Sequence, residues 1–158
     1  MKEKIDHILR LTLKNCFGKG LLKECQLPDY LIEIPNNMEH GHFATNLALT
    51  LASSQRRSPL EIARIITANL ELDESFIEAV EIAGPGFINF RISPFEWHRL
   101  LMEITEKRDR YGSSEAGSGE KVNVEFVSAN PTGPLHLGHG RGAALGDTIC
   151  RILAFCGY

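Results

Sequence analysis

At 158 residues, with 43% hydrophobic and 23% charged side chains, the chain has the make-up of a globular protein holding one domain, or one domain and part of another. No apolar run approaches membrane-spanning length, and the N-terminal "MKEKIDHILRLTLKN" alternates charge with Ile and Leu at helical spacing, which excludes a secretion signal. The net charge of −3 excludes a broad electrostatic grip on nucleic acid, so any such contact is local.

The first helix is expected from Lys2 to Cys16, with Ile5, Ile8, Leu9, Thr12 and Leu13 on one face. After "FGKG", Tyr30, Ile32 and Ile34 alternate as in a strand. "PNNMEHGH" reads as a polar loop. In "FATNLALTLASS", Ala44, Leu47, Ala48, Leu51 and Ala52 recur at the spacing of a closely packing helix. "SPLE" (Ser58 to Glu61) and "SPFE" (Ser93 to Glu96) each place Ser at the N-cap, Pro at the first helical position and Glu at the third. That order predicts two capping boxes. Trp97, Leu100, Leu101 and Ile104 form the apolar stripe of the second of these helices. Between them, Val80 and Ile82 alternate, "GPG" (Gly84 to Gly86) supplies a turn, and Ile88, Phe90 and Ile92 alternate again, which predicts a hairpin.

"YGSSEAGSGEK" is the best domain boundary in the chain. The expected organisation is therefore an α+β domain at 1–110, with helices on a small antiparallel sheet, a linker at 111–120, and a second unit at 121–158. In that unit Val122, Val124 and Phe126 mark a strand, a loop follows, and a helix runs from about Gly138 to Phe155. One strand and one helix cannot bury their own apolar faces, so the expectation is either the front part of a longer α/β protein or residues 120–158 packed onto something else. An open strand edge makes self-association of the isolated chain a risk. Cys16, Cys25, Cys150 and Cys156 form no C-x-x-C pair and read as reduced cytoplasmic thiols; Cys150 and Cys156 are expected to be buried.

The strand-to-helix junction "NPTGPLHLGHGRGAALGD" holds five glycines, two prolines and two histidines. Such junctions collect phosphates, because free backbone N–H groups and the helix dipole face them. Gly138, Gly140 and Gly142 clear Cβ atoms from the path of a nucleotide. His136 and His139 can present two N–H donors from one side of the first turn. Three readings fit these residues. "GHGRGA" satisfies the dinucleotide pattern G-x-G-x-x-A. His136, His139 and Asp147 could hold a metal, with no firmly spaced further ligand. "HLGH" matches the ATP-binding motif of class I aminoacyl-tRNA synthetases.

The run "VEFVSANPTGPLHLGHGRGAALGD" resembles the arginyl-tRNA synthetase family along its whole length. "GHFATNLALTLA" and "AGPGFINFRIS" resemble two stretches of that family's N-terminal domain, in the same order. The resemblance implies an arginine–tRNA ligase whose second unit begins a Rossmann-type catalytic domain. It assigns the ATP phosphates to His136 and His139, with Gly138 and Gly140 lining the ATP site and magnesium accompanying ATP. It assigns arginine to Glu125, Ser128, Asn130 and His139, with Asn130 as a partner of the α-amino group. It also implies tRNA contact at the elbow by the N-terminal domain, with Phe43 stacking on an unpaired base and Asn46 bonding to its edge. The full-length protein is expected to be a cytoplasmic monomer with no membrane contact, and this piece to be inactive alone. A free-standing tRNA-binding module is the alternative. Where many relatives carry Asp, this chain has His42. Gly133 stands where relatives lacking the family's lysine-rich loop place a lysine, which implies that the full protein needs that loop.

Overall fold

The computed structural model describes all 158 residues. They form two compact units, Met1–Leu101 and Met102–Tyr158. The division falls before the Gly/Ser stretch expected as the linker. Residues 111–120 instead fold into the second unit, where the Ser114, Gly117 and Gly119 N–H groups donate to the carbonyls of Phe155, Cys156 and Gly157.

In the first unit, α1 (Lys2–Gly18), α2 (Leu47–Gln55) and α3 (Pro59–Ala68) cover one face of a four-stranded antiparallel sheet. Its strands are β1 (Ile32–Glu33), β2 (Phe43–Thr45), β3 (Ile77–Ala83) and β4 (Phe87–Ile92), in the order β1-β2-β4-β3. The β3–β4 hairpin forms as its alternation predicts, with its turn at 84–86 and a bulge between Ile77 and Ala79. Strand β2 is not read from the sequence, because Ala44, Leu47, Ala48 and Leu51 mimic helical spacing. In fact residues 43–45 pair with both β1 and β4, and the helix starts only at Leu47. Strand β1 is shorter than its alternation implies, and Ile34 is exposed.

The sheet sorts its residues by pleat. Phe43, Thr45, Ile88, Phe90 and Ile92 face the helices and are buried with Ile5, Leu9, Leu13, Leu47, Leu51, Ile62 and Ile66. On the opposite face the register sets Glu33 beside Ala44, Ala44 beside Asn89, and Asn89 beside Glu81. No helix of the chain is long and apolar enough to cross a membrane.

Of the two predicted capping boxes, one forms. The Ser58 hydroxyl accepts from the Glu61 N–H at 3.3 Å, and the Glu61 carboxylate accepts from the Ser58 N–H at 3.1 Å. At α4 (Pro94–Lys107), Glu96 turns elsewhere. Its carboxylate, in a residue 5% exposed, takes two hydrogen bonds from the Arg99 guanidinium at 2.6 and 2.7 Å and one from Lys4 Nζ at 3.0 Å. Hydrogen bonding by Arg99, then Lys4, holds it down at a pKa of about 2. The stripe expected on α4 is only partly covered: Trp97 and Leu100 are half-buried, Leu101 and Ile104 exposed.

In the second unit α5 (Leu137–Phe155) forms as expected. The strand at 122–126 does not: the chain holds a single sheet, of β1 to β4, so this segment has no partner strand. It runs unpaired, turns at Val127 with φ of 55°, and lays Phe126 against Gly146, where a Cβ would stand 2.1 Å from the Phe126 ring. All four thiols are free. Cys16 is the buried one, while Cys150 and Cys156 are half-buried because α5 leaves much of its surface open.

Candidate functional site

The start of α5 is built from its two histidines. His136 is the N-cap in extended backbone, and its Nδ1 accepts from the Gly138 N–H at 3.1 Å. His139 Nδ1 accepts in turn from the His136 N–H at 3.1 Å. The rings lie 3.8 Å apart, tilted by 31°. An imidazole that accepts at Nδ1 carries its proton on Nε2 when neutral, so both Nε2–H groups are left for an external acceptor. They stand at a helix N-terminus, where partial positive charge already favours an anion. A Cβ at Gly138 would come 2.9 Å from the His136 ring, which would have to shift. A shallow groove of about 550 Å³ runs on along α5, lined by Gly138, Arg141, Gly142, Ala144 and Leu145. Gly140 faces open space.

Two of the three sequence readings lose ground here. Gly138 is already helical, whereas a dinucleotide fingerprint needs its first glycine in the strand-to-helix turn. Asp147 accepts from Arg151 Nε at 2.7 Å, and no group of three or more His, Cys, Asp or Glu could hold a metal. Glu125, Ser128 and Asn130 are exposed, on the unpaired segment before α5.

The first unit offers a different site, on the open face of its sheet. A groove of about 770 Å³ is lined by Ala44, Asn46, Phe87 and Asn89, with walls from Leu31–Asn36 and the β3–β4 turn. Phe87 is 40% exposed, the aromatic residue of that lining. Asn89, two residues on and on the same face, is 5% exposed, and its amide, which makes no hydrogen bond within the chain, opens onto the groove. The Asn46 side chain accepts from the Leu31 N–H at 2.8 Å, which spends its oxygen and leaves its NH₂ group. Small Ala44 and Ala83 keep the floor flat. An aromatic face beside a free amide is what a splayed-out base requires.

Phe43 is not part of this arrangement. It is 7% exposed, on the helix-facing side of β2 opposite Phe90, and serves the core. The pair that sequence reasoning missed is Phe87 and Asn89. The signal was present in "FINFRI": if Ile88, Phe90 and Ile92 point inward, Phe87 and Asn89 must point outward. His42 accepts at Nδ1 from the Ile92 N–H at 2.9 Å, with its ring edge-on to Trp97.

Residues 3–92 match the family described as the arginyl tRNA synthetase N terminal domain, which is more than half of the chain, and the chain belongs to that family. Across all 158 residues it is 50% identical to an arginine–tRNA ligase of Desulfosudis oleivorans and 46% identical to one of Geotalea daltonii. It spans 28% of the length of each. Its fold is similar to that of the Thermus thermophilus arginyl-tRNA synthetase, with a TM-score of 0.64 and 27% identity, over 99% of this chain and 24% of that one. The Plasmodium falciparum arginyl-tRNA synthetase shares the fold at a TM-score of 0.64 and 22% identity, over 97% of this chain and 28% of the other.

Proposed function

We propose that this chain is the N-terminal part of a cytoplasmic arginine–tRNA ligase. The observation that carries the reading is the identity of half the residues to such a ligase along the whole chain. In the reaction, an arginine carboxylate oxygen attacks the α-phosphorus of ATP and pyrophosphate leaves. A terminal ribose hydroxyl of the tRNA then attacks the arginyl carbonyl, and AMP leaves. His136 and His139 would donate from Nε2 to the phosphate oxygens as charge moves onto the leaving group, while Gly138 and Gly140 leave room for the nucleotide. Magnesium belongs to this reading as the companion of ATP.

Glu125 would pair with the guanidinium of arginine, and Asn130 with its α-amino group, alongside Ser128 and His139. This requires residues 122–126 to enter a parallel sheet as its first strand, which makes the second unit the opening of a Rossmann-type domain. The first unit, Met1–Leu101, would hold the tRNA elbow. Asn46 keeps its role there, and Phe87 with Asn89 takes the stacking and edge-reading role first given to Phe43.

The test is to pass total tRNA over the immobilised chain and sequence what stays bound. Enrichment of arginine acceptors supports the reading. Retention of nothing, or of all tRNAs equally, overturns elbow recognition by the first unit.

A further inference from the structure

The groove lining contains no Lys or Arg, and its wall carries the Glu33 carboxylate. A base reader of this kind gains little from phosphate charge, although phosphate contacts supply much of the affinity of nucleic-acid complexes. Arg91, two residues beyond Asn89 on β4, donates to the Glu39 carbonyl at 3.3 Å, and four further cations of the first unit lie in two turns. Lys19 and Lys23 lie in the turn after α1, and Arg56 and Arg57 in the turn after α2.

These two turns are fastened together. Gln55, 3% exposed, accepts from the Lys23 N–H at 2.7 Å and donates to the Lys23 carbonyl at 2.8 Å. Arg57 donates to the Leu21 carbonyl at 2.9 Å. Arg56 is held in left-handed backbone, with φ of 51°. A buried amide with both ends committed to the Lys23 backbone ties the two cation-bearing turns together, and Lys19 Nζ donates to Asn69 Oδ1 at 3.5 Å. All four are exposed and none forms an ion pair. Two carboxylates stand near: Glu24, next in sequence to Lys23, and Glu61, already bonded to Ser58. Cations after helix ends also complement the helix dipole. That role does not call for two turns to be locked together, and it asks nothing of Lys23.

We propose that Lys19, Lys23, Arg56 and Arg57 form a second RNA contact, which grips the phosphate backbone of a tRNA whose base is read in the sheet groove. The proposal rests on the tRNA-binding reading of that groove. Backbone contacts carry no sequence information, so this surface contributes equally to arginine-accepting and other tRNAs, while the groove discriminates.

The experiment is to titrate an arginine-accepting tRNA and a tRNA for another amino acid against the full chain over a range of salt concentrations. The Lys19→Gln/Lys23→Gln/Arg56→Gln variant spares Arg57, which bonds to Leu21. Each lost phosphate contact flattens the log K against log salt slope by about 0.7–0.9, so this variant is expected to lose about 2 from the slope with both tRNAs. Lys19→Arg/Lys23→Arg is expected to keep the slope, and Asn89→Ala to weaken binding at every salt concentration with the slope unchanged. If the triple variant melts early, Lys19→Gln alone is read for a slope loss near 0.7. A wild-type slope in a folded charge-neutral variant overturns this inference and leaves the groove reading intact; it would turn attention to an acidic protein partner. Failure of the unsubstituted chain to bind any tRNA at low salt overturns both.

Discussion

The two units solve the burial problem differently. The first closes a core between three helices and one sheet face, and its large side chains, Phe90 and Ile66 among them, are fully buried. The second leaves its longest helix uncovered: Leu137 is 83% exposed and Leu145 64%, with Ile149, Ile152 and Phe155 exposed as well. Stability should therefore respond to substitution in one unit and hardly at all in the other. Function follows the same divide. The first unit has a shaped groove, whereas the second presents two stacked histidines at an exposed helix start.

The comparison breaks most sharply in the core. Phe90→Ala is expected to cost about 3–5 kcal/mol, by lost transfer energy and the cavity left behind, while Leu145→Ala stays within about 0.5 kcal/mol. Urea melts of both variants check this, and similar losses would mean that α5 is covered.

Acid sharpens it next. Glu96 has a folded pKa of about 2 against an ordinary value of 4.5, because Arg99 and Lys4 hold its charged form. A depressed carboxylate contributes stability that is complete above about pH 4.5 and is lost as pH falls towards 2. Lys4 and Arg99 are half exposed, so the contribution is of order 2 kcal/mol rather than the full shift. Melting temperature followed from pH 6 to 2 should fall less steeply in Glu96→Gln, which starts lower. Parallel curves would contradict the assignment.

The helix caps are a smaller contrast. Ser58→Ala should cost about 1 kcal/mol, since its hydroxyl serves a complete capping box. Ser93→Ala should cost less, because Ser93 Oγ meets only the Phe95 N–H, at 3.3 Å. Gly138→Ala is expected to leave the melt almost unchanged, yet to displace the His136 ring. The measurement is histidine NMR during an ATP titration, where the shifts of His136 Nε2 seen in the parent should be lost.

How far the sequence could be read varied with the range of the interaction. α1, the Ser58 capping box, the β3–β4 hairpin and the start of α5 are local patterns, and each forms where its residues say. β2 was hidden because three residues are too few to show alternation, and its pairing partners are remote in sequence. "SPFE" carries the same letters as a capping box, but Glu96 is claimed by Lys4, 92 positions away, and by Arg99. Residues 122–126 have strand composition and no strand to pair with. The stacking role expected of Phe43 rests on the same helical reading of this stretch, whereas in β2 its side chain faces the core. A helical reading gives no pleat, and the pleat decides which of Phe43 and Phe87 meets solvent.

Which of the two sheet faces meets the tRNA is decided by tRNA titration of Phe87→Ala, Asn89→Ala and Phe43→Ala, with a melt of each. Phe87→Ala is expected to weaken binding of arginine-accepting tRNA by about 1–3 kcal/mol at an unchanged melting temperature, as loss of a stacked base requires. Asn89→Ala should reduce the preference over other tRNAs, and Phe43→Ala should lower the melt first. Tight binding by Phe87→Ala and Asn89→Ala, with a specific loss in a fully folded Phe43→Ala, would contradict the groove reading.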